Sequence, residues 1–157
     1  MLKIVSVPKS RAEIEDLLIR YGADGFAYAV NPQKAQILFT ACGQRVRFDL
    51  AFPPKETFRI NKAKPSWSAR YRRTDAQVDE VYEAEMRRLW RALALVIKAK
   101  LEAVSSGIVT FESEFLAHFV LPNGNTVGAE VTPKLAEMRA TGASIPLLSG
   151  EVTDERL

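Results

Sequence analysis

From Ala76 to Val104 a single helical period runs with no glycine or proline to interrupt it. Tyr82, Met86, Leu89, Leu93, Val96, Ile97, Leu101 and Val104 fall on one face of that helix. Glu80, Glu83, Arg87, Arg91 and Lys98 fall on the other, with Glu83 and Arg87 at the spacing that pairs opposite charges. Asp75 reads as its N-cap and Ser105-Ser106-Gly107 as its end. The second half is apolar almost all round, which predicts a helix through the centre of the fold.

The other elements must pack on it. Leu2 to Val7 alternates and is β-branched, so it reads as a short strand. Ser10-Arg11-Ala12-Glu13 has capping-box spacing, which starts a helix over about 11–21 that Gly22 stops. Three strands follow, over 26–30, 35–41 and 45–50, separated by Asn31-Pro32-Gln33 and Cys42-Gly43. Connections this short require antiparallel pairing. Arg45-Val46-Arg47-Phe48-Asp49-Leu50 alternates cleanly, so the sheet has an apolar face and a polar face. After the long helix, Thr110 can cap a short helix over 111–118, Asn123-Gly124 predicts a small hairpin, and Thr132-Pro133 opens a last helix to about Ala140. The expected fold is α+β: a small antiparallel sheet in the order β-α-β-β-β on a long central helix, closed by a helix–hairpin–helix.

The chain has 157 residues, of which 47% are hydrophobic and 26% charged, which suits one globular domain and excludes wholesale disorder. No apolar run approaches a membrane span, and no secretory signal is visible. One cysteine, Cys42, allows no intrachain disulfide and fits a reducing cytoplasm. No phosphate-binding glycine loop or nucleophile elbow occurs, so catalysis is disfavoured and no cofactor is implied.

Charge is concentrated. Between Pro53 and Thr74 lie Lys55, Arg59, Lys62, Lys64, Arg70, Arg72 and Arg73 against one acid, Glu56. That strip carries +6 in a chain of net +3, so the remainder is −3. A basic strip on an acidic body is the footprint of a phosphate-bearing partner. Trp67 and Tyr71 interleave with the cations, which suits single strands: cations meet phosphates and flat rings meet unpaired bases. The strip lacks a period, and its cations repel one another, so it is expected to be the least ordered internal segment.

Arg45 and Arg47 share the polar sheet face, where Tyr28 joins them if the register allows; they support the strip or pair with Asp49, Gln36 or Thr40. Glu114 and His118 are one helical turn apart, with Glu112 nearby, but two ligands do not make a metal site. Their easier roles are a helix N-terminus for the acids and a half-buried position for the histidine. Lys100 falls within the apolar stripe and is expected to snorkel toward carbonyls at the helix C-terminus.

The stretch Trp90 to Val104, then Gly107-Ile108 and Phe111 to Gly128, resembles small proteins encoded by tailed bacteriophages and prophages, as do Val7 to Glu15 and Arg45-Val46-Arg47-Phe48. The resemblance covers most of the chain. It implies a bacterial cytoplasm during infection and a role in phage DNA metabolism or in countering host defence; it carries no site residues. The element order is also loosely similar to the core of single-strand annealing proteins.

These readings converge on sequence-independent binding of nucleic acid, single-stranded DNA above all. Lys62, Lys64, Arg70, Arg72 and Arg73 would hold phosphates, with Arg45 and Arg47 in support, while Trp67 and Tyr71 stack on bases. The rival is a phage inhibitor of host defence that binds a host protein or sequesters a phosphorylated signalling nucleotide. A homo-oligomer with a preformed pocket would favour that rival.

Overall fold

The structure, a computed structural model, describes residues 7–148. Its elements are α1 (Val7–Arg20), β1 (Gly25–Val30), β2 (Lys34–Ala41), β3 (Gln44–Ala51), a 3-10 turn (Lys55–Phe58), α2 (Asp75–Ser105), α3 (Phe111–Phe115), a second 3-10 turn (Leu116–His118) and α4 (Val127–Thr141). The fold is α+β, with a three-stranded antiparallel sheet in the order β1-β2-β3. The strand expected over 2–7 lies mostly outside the described residues, and Val7 is already helical. Ser10 therefore sits inside α1 and does not cap it. Gly22, at φ +82°, ends α1 with the Ala23 N–H donating to the Leu18 carbonyl at 2.9 Å.

Turn chemistry sets the sheet. Asn31 Oδ1 accepts from the Gln33 and Lys34 N–H groups, which fixes the β1–β2 connection. Cys42 (φ 51°) and Gly43 (φ 72°) make the two-residue β2–β3 turn, whose two positive φ angles match the right-handed twist of the strands. The resulting register puts Ile37 opposite Phe48 and Phe39 opposite Val46. These side chains, with Ala35 and Ala41, are buried against Ile14, Leu17 and Leu18 of α1 and Trp90, Leu93, Ala94, Ile97 and Leu101 of α2. Phe115 is fully buried and meets Phe39 and Phe48 edge-on at about 6 Å.

Helix α2 departs from its expected register and cap. Thr74, not Asp75, is the N-cap: its hydroxyl accepts from the Gln77 N–H, and the Gln77 side chain accepts from the Thr74 N–H. Trp90 takes the core position under the sheet, leaving Leu89 half-buried. The helix is central, with Leu93, Ala94, Ile97 and Leu101 of its second half in the core, but that half is not buried all round, because Leu95 and Val96 face solvent.

The last elements wrap the edge of β3. Phe119 bridges Val46, and the Val120 N–H donates to the Arg45 carbonyl at 2.9 Å. The Asn123-Gly124 segment forms a tight turn with one bridge, Val120 to Thr126. Thr126 rather than Thr132 caps the last helix, accepting from the Ala129 N–H, so Pro133 lies inside α4. Gly128 is where α4 touches the second 3-10 turn; a Cβ there would stand 2.9 Å from the Ala117 carbonyl oxygen. No residue of α4 is buried.

Candidate nucleic-acid interface

The basic strip leaves the sheet at the Ala51 end of β3, where the Phe52 N–H donates to the Gln33 carbonyl. Pro53 and Pro54 end the ladder because neither has an N–H to give. Beyond the first 3-10 turn, the segments 59–61 and 71–73 run antiparallel and form a neck. Ile60 bridges Arg72, the Asn61 N–H donates to the Tyr71 carbonyl at 2.7 Å, and the Arg73 N–H donates to the Arg59 carbonyl at 2.9 Å. Above the neck the chain closes through successive turns begun by Asn61, Pro65 and Ser68. Asn61 Oδ1 and Ser68 Oγ brace two of them by accepting from the Ala63 and Arg70 N–H groups. A segment that reads as aperiodic in sequence thus has a hydrogen-bonded backbone.

Its cations divide into two sets. Lys55 pairs with Asp79 at 2.9 Å and lies 5.1 Å from the Tyr82 ring centroid; the Asp79 hydrogen bond raises its pKa. Arg59 pairs with Asp75 at 2.6 Å and Glu56 at 3.5 Å, and those two carboxylates raise its pKa. Arg73 donates to the Phe58 and Ile60 carbonyls at 2.8 and 3.3 Å. These three tie the strip to itself and to α2. Lys62, Lys64, Arg70 and Arg72 make no side-chain hydrogen bond or ion pair among the described residues. Trp67 stands between them, 86% exposed. Tyr71, in the neck, is half-buried. Between the turns and the start of α2 lies a cavity of about 340 Å³, lined by Lys64, Arg70, Arg73, Asn61, Gln77, Glu80 and Val81.

The sheet arginines are not brought to the strip. Arg45 lies at the Gln44 end of β3, about 20 Å along the strand from Ala51. It is exposed and lines a shallow concavity with Gly25, Ala27, Leu38 and Thr40. Arg47 is engaged within the fold: it pairs with Asp49 at 3.2 Å and donates to the Gly124 carbonyl at 2.7 Å, while Gln36 donates to the other Asp49 oxygen. Tyr28 does not join the polar face. It pairs with Ile37 on the buried face, donates its hydroxyl to the Arg11 carbonyl at 2.8 Å and is pushed by burial to a pKa of about 12.

The remaining candidates are held by one another. Lys100 reaches α3 rather than the carbonyls of its own helix end, donating to Glu114 Oε1 at 2.8 Å and to the Glu114 carbonyl at 3.1 Å. His118 stacks on Phe48 with centroids 4.0 Å apart; burial, then the Lys100 charge, lowers its pKa. Glu112 is exposed, and among the described residues no three His, Cys, Asp or Glu side chains gather where a metal ion would sit.

Sequence reasoning missed the residues that shape the strip. Asn61 and Ser68 are turn formers whose type signalled them. Gln77 and Glu80 lie on α2, outside the basic segment, and only the fold brings them to the cavity. No family model, curated protein or solved structure matches the chain. Among the described residues no helix is long and apolar enough to cross a membrane.

Proposed function

We propose that the chain binds nucleic acid through residues 53–74, favouring single-stranded DNA without reading its sequence. The observation that carries this reading is Trp67, 86% exposed among four cations with no side-chain partner among the described residues. An indole left in water on a braced loop is a platform for an unpaired base, and Lys62, Lys64, Arg70 and Arg72 are free to meet phosphates. Arg73 and Arg59 hold the loop in shape. Arg45 is too remote to share a phosphate with the strip and would touch a strand only farther along its path. The resemblance to phage proteins supplies the setting, phage DNA metabolism in the bacterial cytoplasm.

The cavity beside Lys64, Arg70 and Arg73 favours a second reading. A pocket of that size suits a small phosphorylated ligand, as expected of an inhibitor that sequesters a signalling nucleotide.

Fluorescence anisotropy with a labelled oligothymidine across a salt series tests both. Four phosphate contacts give a log–log salt slope of about −3, which Arg70→Gln with Arg72→Gln flattens by about 1.4. Trp67→Ala weakens binding by about 1–3 kcal/mol at every salt concentration and leaves the slope unchanged. Absence of binding at about 50 mM salt and micromolar protein overturns the nucleic-acid reading. Tight binding of a cyclic dinucleotide, lost in Lys64→Gln with Arg70→Gln, would then establish the second.

A further inference from the structure

Helix α2 has a second apolar face that the fold covers only in part. Leu95 and Val96 are 58% and 45% exposed and flank the side of the helix opposite Trp90 and Ile97. Leu89, Ala92, Val96, Ala99 and Ala103 recur along this side at alternating spacings of three and four. That is the pattern by which one helix packs along another. Beside it, Arg88, Leu95 and Glu102 stand seven residues apart in one row. Read backwards, the row places an acid where it had a base, so it complements itself only when reversed. Both charges have capacity to spare. Arg88 uses Nε and Nη2 on Glu85, and Glu102 uses Oε1 on the Tyr21 hydroxyl, leaving Arg88 Nη1 and Glu102 Oε2 without a partner among the described residues.

We propose that α2 pairs antiparallel with α2 of a second copy of this chain, about a two-fold axis at Leu95. Leu95 then meets Leu95 of the partner, Val96 meets Val96, and Arg88 faces Glu102 on both sides of the axis. Ala92 and Ala99 let the backbones approach between these contacts. A parallel pair would set like charges at the same height, which disfavours it. The axis lies about 30 Å along α2 from Asp75, so the two basic strips emerge at opposite ends, roughly 60 Å apart. On the nucleic-acid reading such a dimer holds two separate stretches of strand; the pairing itself does not rest on that reading.

Sedimentation equilibrium of the full chain without nucleic acid tests the pairing from about 1 to 100 µM, the range over which a micromolar dimer assembles. The expected result is a mass that rises to twice the chain mass. Arg88→Glu or Glu102→Arg alone weakens assembly at least tenfold, and the two together restore it. Oxidation of Leu95→Cys in a Cys42→Ser background gives a covalent dimer, whereas Ala103→Cys, about 24 Å from its counterpart in the antiparallel pair, does not. A monomeric wild type throughout the range overturns the proposal. So does cross-linking through Ala103→Cys as efficient as through Leu95→Cys, or a dimer unaffected by Leu95→Glu with an unchanged thermal melt.

Discussion

The sheet and the basic strip are both fastened to α2, by opposite means. Between Ala35 and Phe48 the sheet buries Ala35, Ile37, Phe39, Ala41, Val46 and Phe48 against the helices. Between Pro53 and Thr74 no residue is buried. The strip is held by the Lys55–Asp79 and Arg59–Asp75 pairs, by Arg73 on two carbonyls and by the Phe58–Tyr82 ring contact. Exposed ion pairs contribute about 0–1 kcal/mol each, whereas burying one large apolar side chain contributes about 1.5–3 kcal/mol. The sheet therefore opens only when the molecule unfolds, while the strip can open alone. A loop held this way keeps its shape at rest and still has freedom to follow a ligand.

The strongest test removes the sheet's fastening. Trp90 is fully buried, meets Tyr28 at 6.2 Å and has the Arg11 guanidinium 4.9 Å from its ring centroid. Trp90→Ala should cost about 3–5 kcal/mol in urea unfolding, because the cavity left under the sheet cannot collapse fully. A loss below about 1 kcal/mol would show that the sheet is not held by burial on α2.

Arg73→Gln breaks the strip's fastening instead. Losing its charge-assisted bonds to the Phe58 and Ile60 carbonyls should weaken the neck by about 1.5–3 kcal/mol. Hydrogen exchange at the Asn61 and Arg73 amides, which close the neck, should then accelerate at least tenfold while the global melt barely moves. A matching drop in global stability would show that strip and sheet form one cooperative unit.

The sheet side also carries the one histidine. Burial lowers His118 below its ordinary 6.5, so the folded state resists a proton that the unfolded chain accepts. Stability is complete above 6.5 and falls as the pH drops from there toward the folded value. Glu85, lowered by Arg88, and Glu130, lowered by Asn125 and Asn123, act below their ordinary 4.5, so the range from about pH 5 to 7 isolates the histidine. His118→Phe keeps a ring against Phe48 and should abolish the loss in that range. Equal pH profiles for the two proteins would assign the titration elsewhere.

The same contrast explains what the sequence made legible. Strand positions were readable because alternation and turn formers such as Asn31 act on near neighbours, and Arg47 has its partner Asp49 two residues away on the same strand face. In α2 the period was plain, but adjacent apolar residues compete for one seam. Leu89 and Trp90 differ by 100° around the helix, and only the sheet's position decides between them. Caps were misplaced where two candidates stood close: Thr74-Asp75-Ala76-Gln77 spells a capping box, yet Asp75 also reads as a cap. In the strip, the lack of a period pointed to exposed Trp67, Lys62, Lys64, Arg70 and Arg72. It could not separate them from Arg73, whose acceptors are backbone carbonyls with no side-chain identity to read.

The smallest expected effect lies at the turn joining β2 to β3, where the sheet's local and global demands meet. Cys42 holds φ at +51°, a left-handed conformation in which the Cβ of most residues crowds the next carbonyl. The twist of the paired strands imposes it, since a turn with negative φ at this site would splay Ala41 from Gln44. Asparagine tolerates this conformation better, and Asn-Gly is the favoured pair for it. Cys42→Asn should therefore stabilise the chain by about 0.5–1 kcal/mol, read as a higher urea midpoint with an unchanged slope. Because Cys42 is exposed, the substitution removes no buried contact that would offset the gain. Exchange at the Asn61 amide should not change, since the strip is fastened to α2 and to itself, not to the β2–β3 turn. A lower midpoint for Cys42→Asn would mean that the thiol makes a contribution that outweighs the backbone strain.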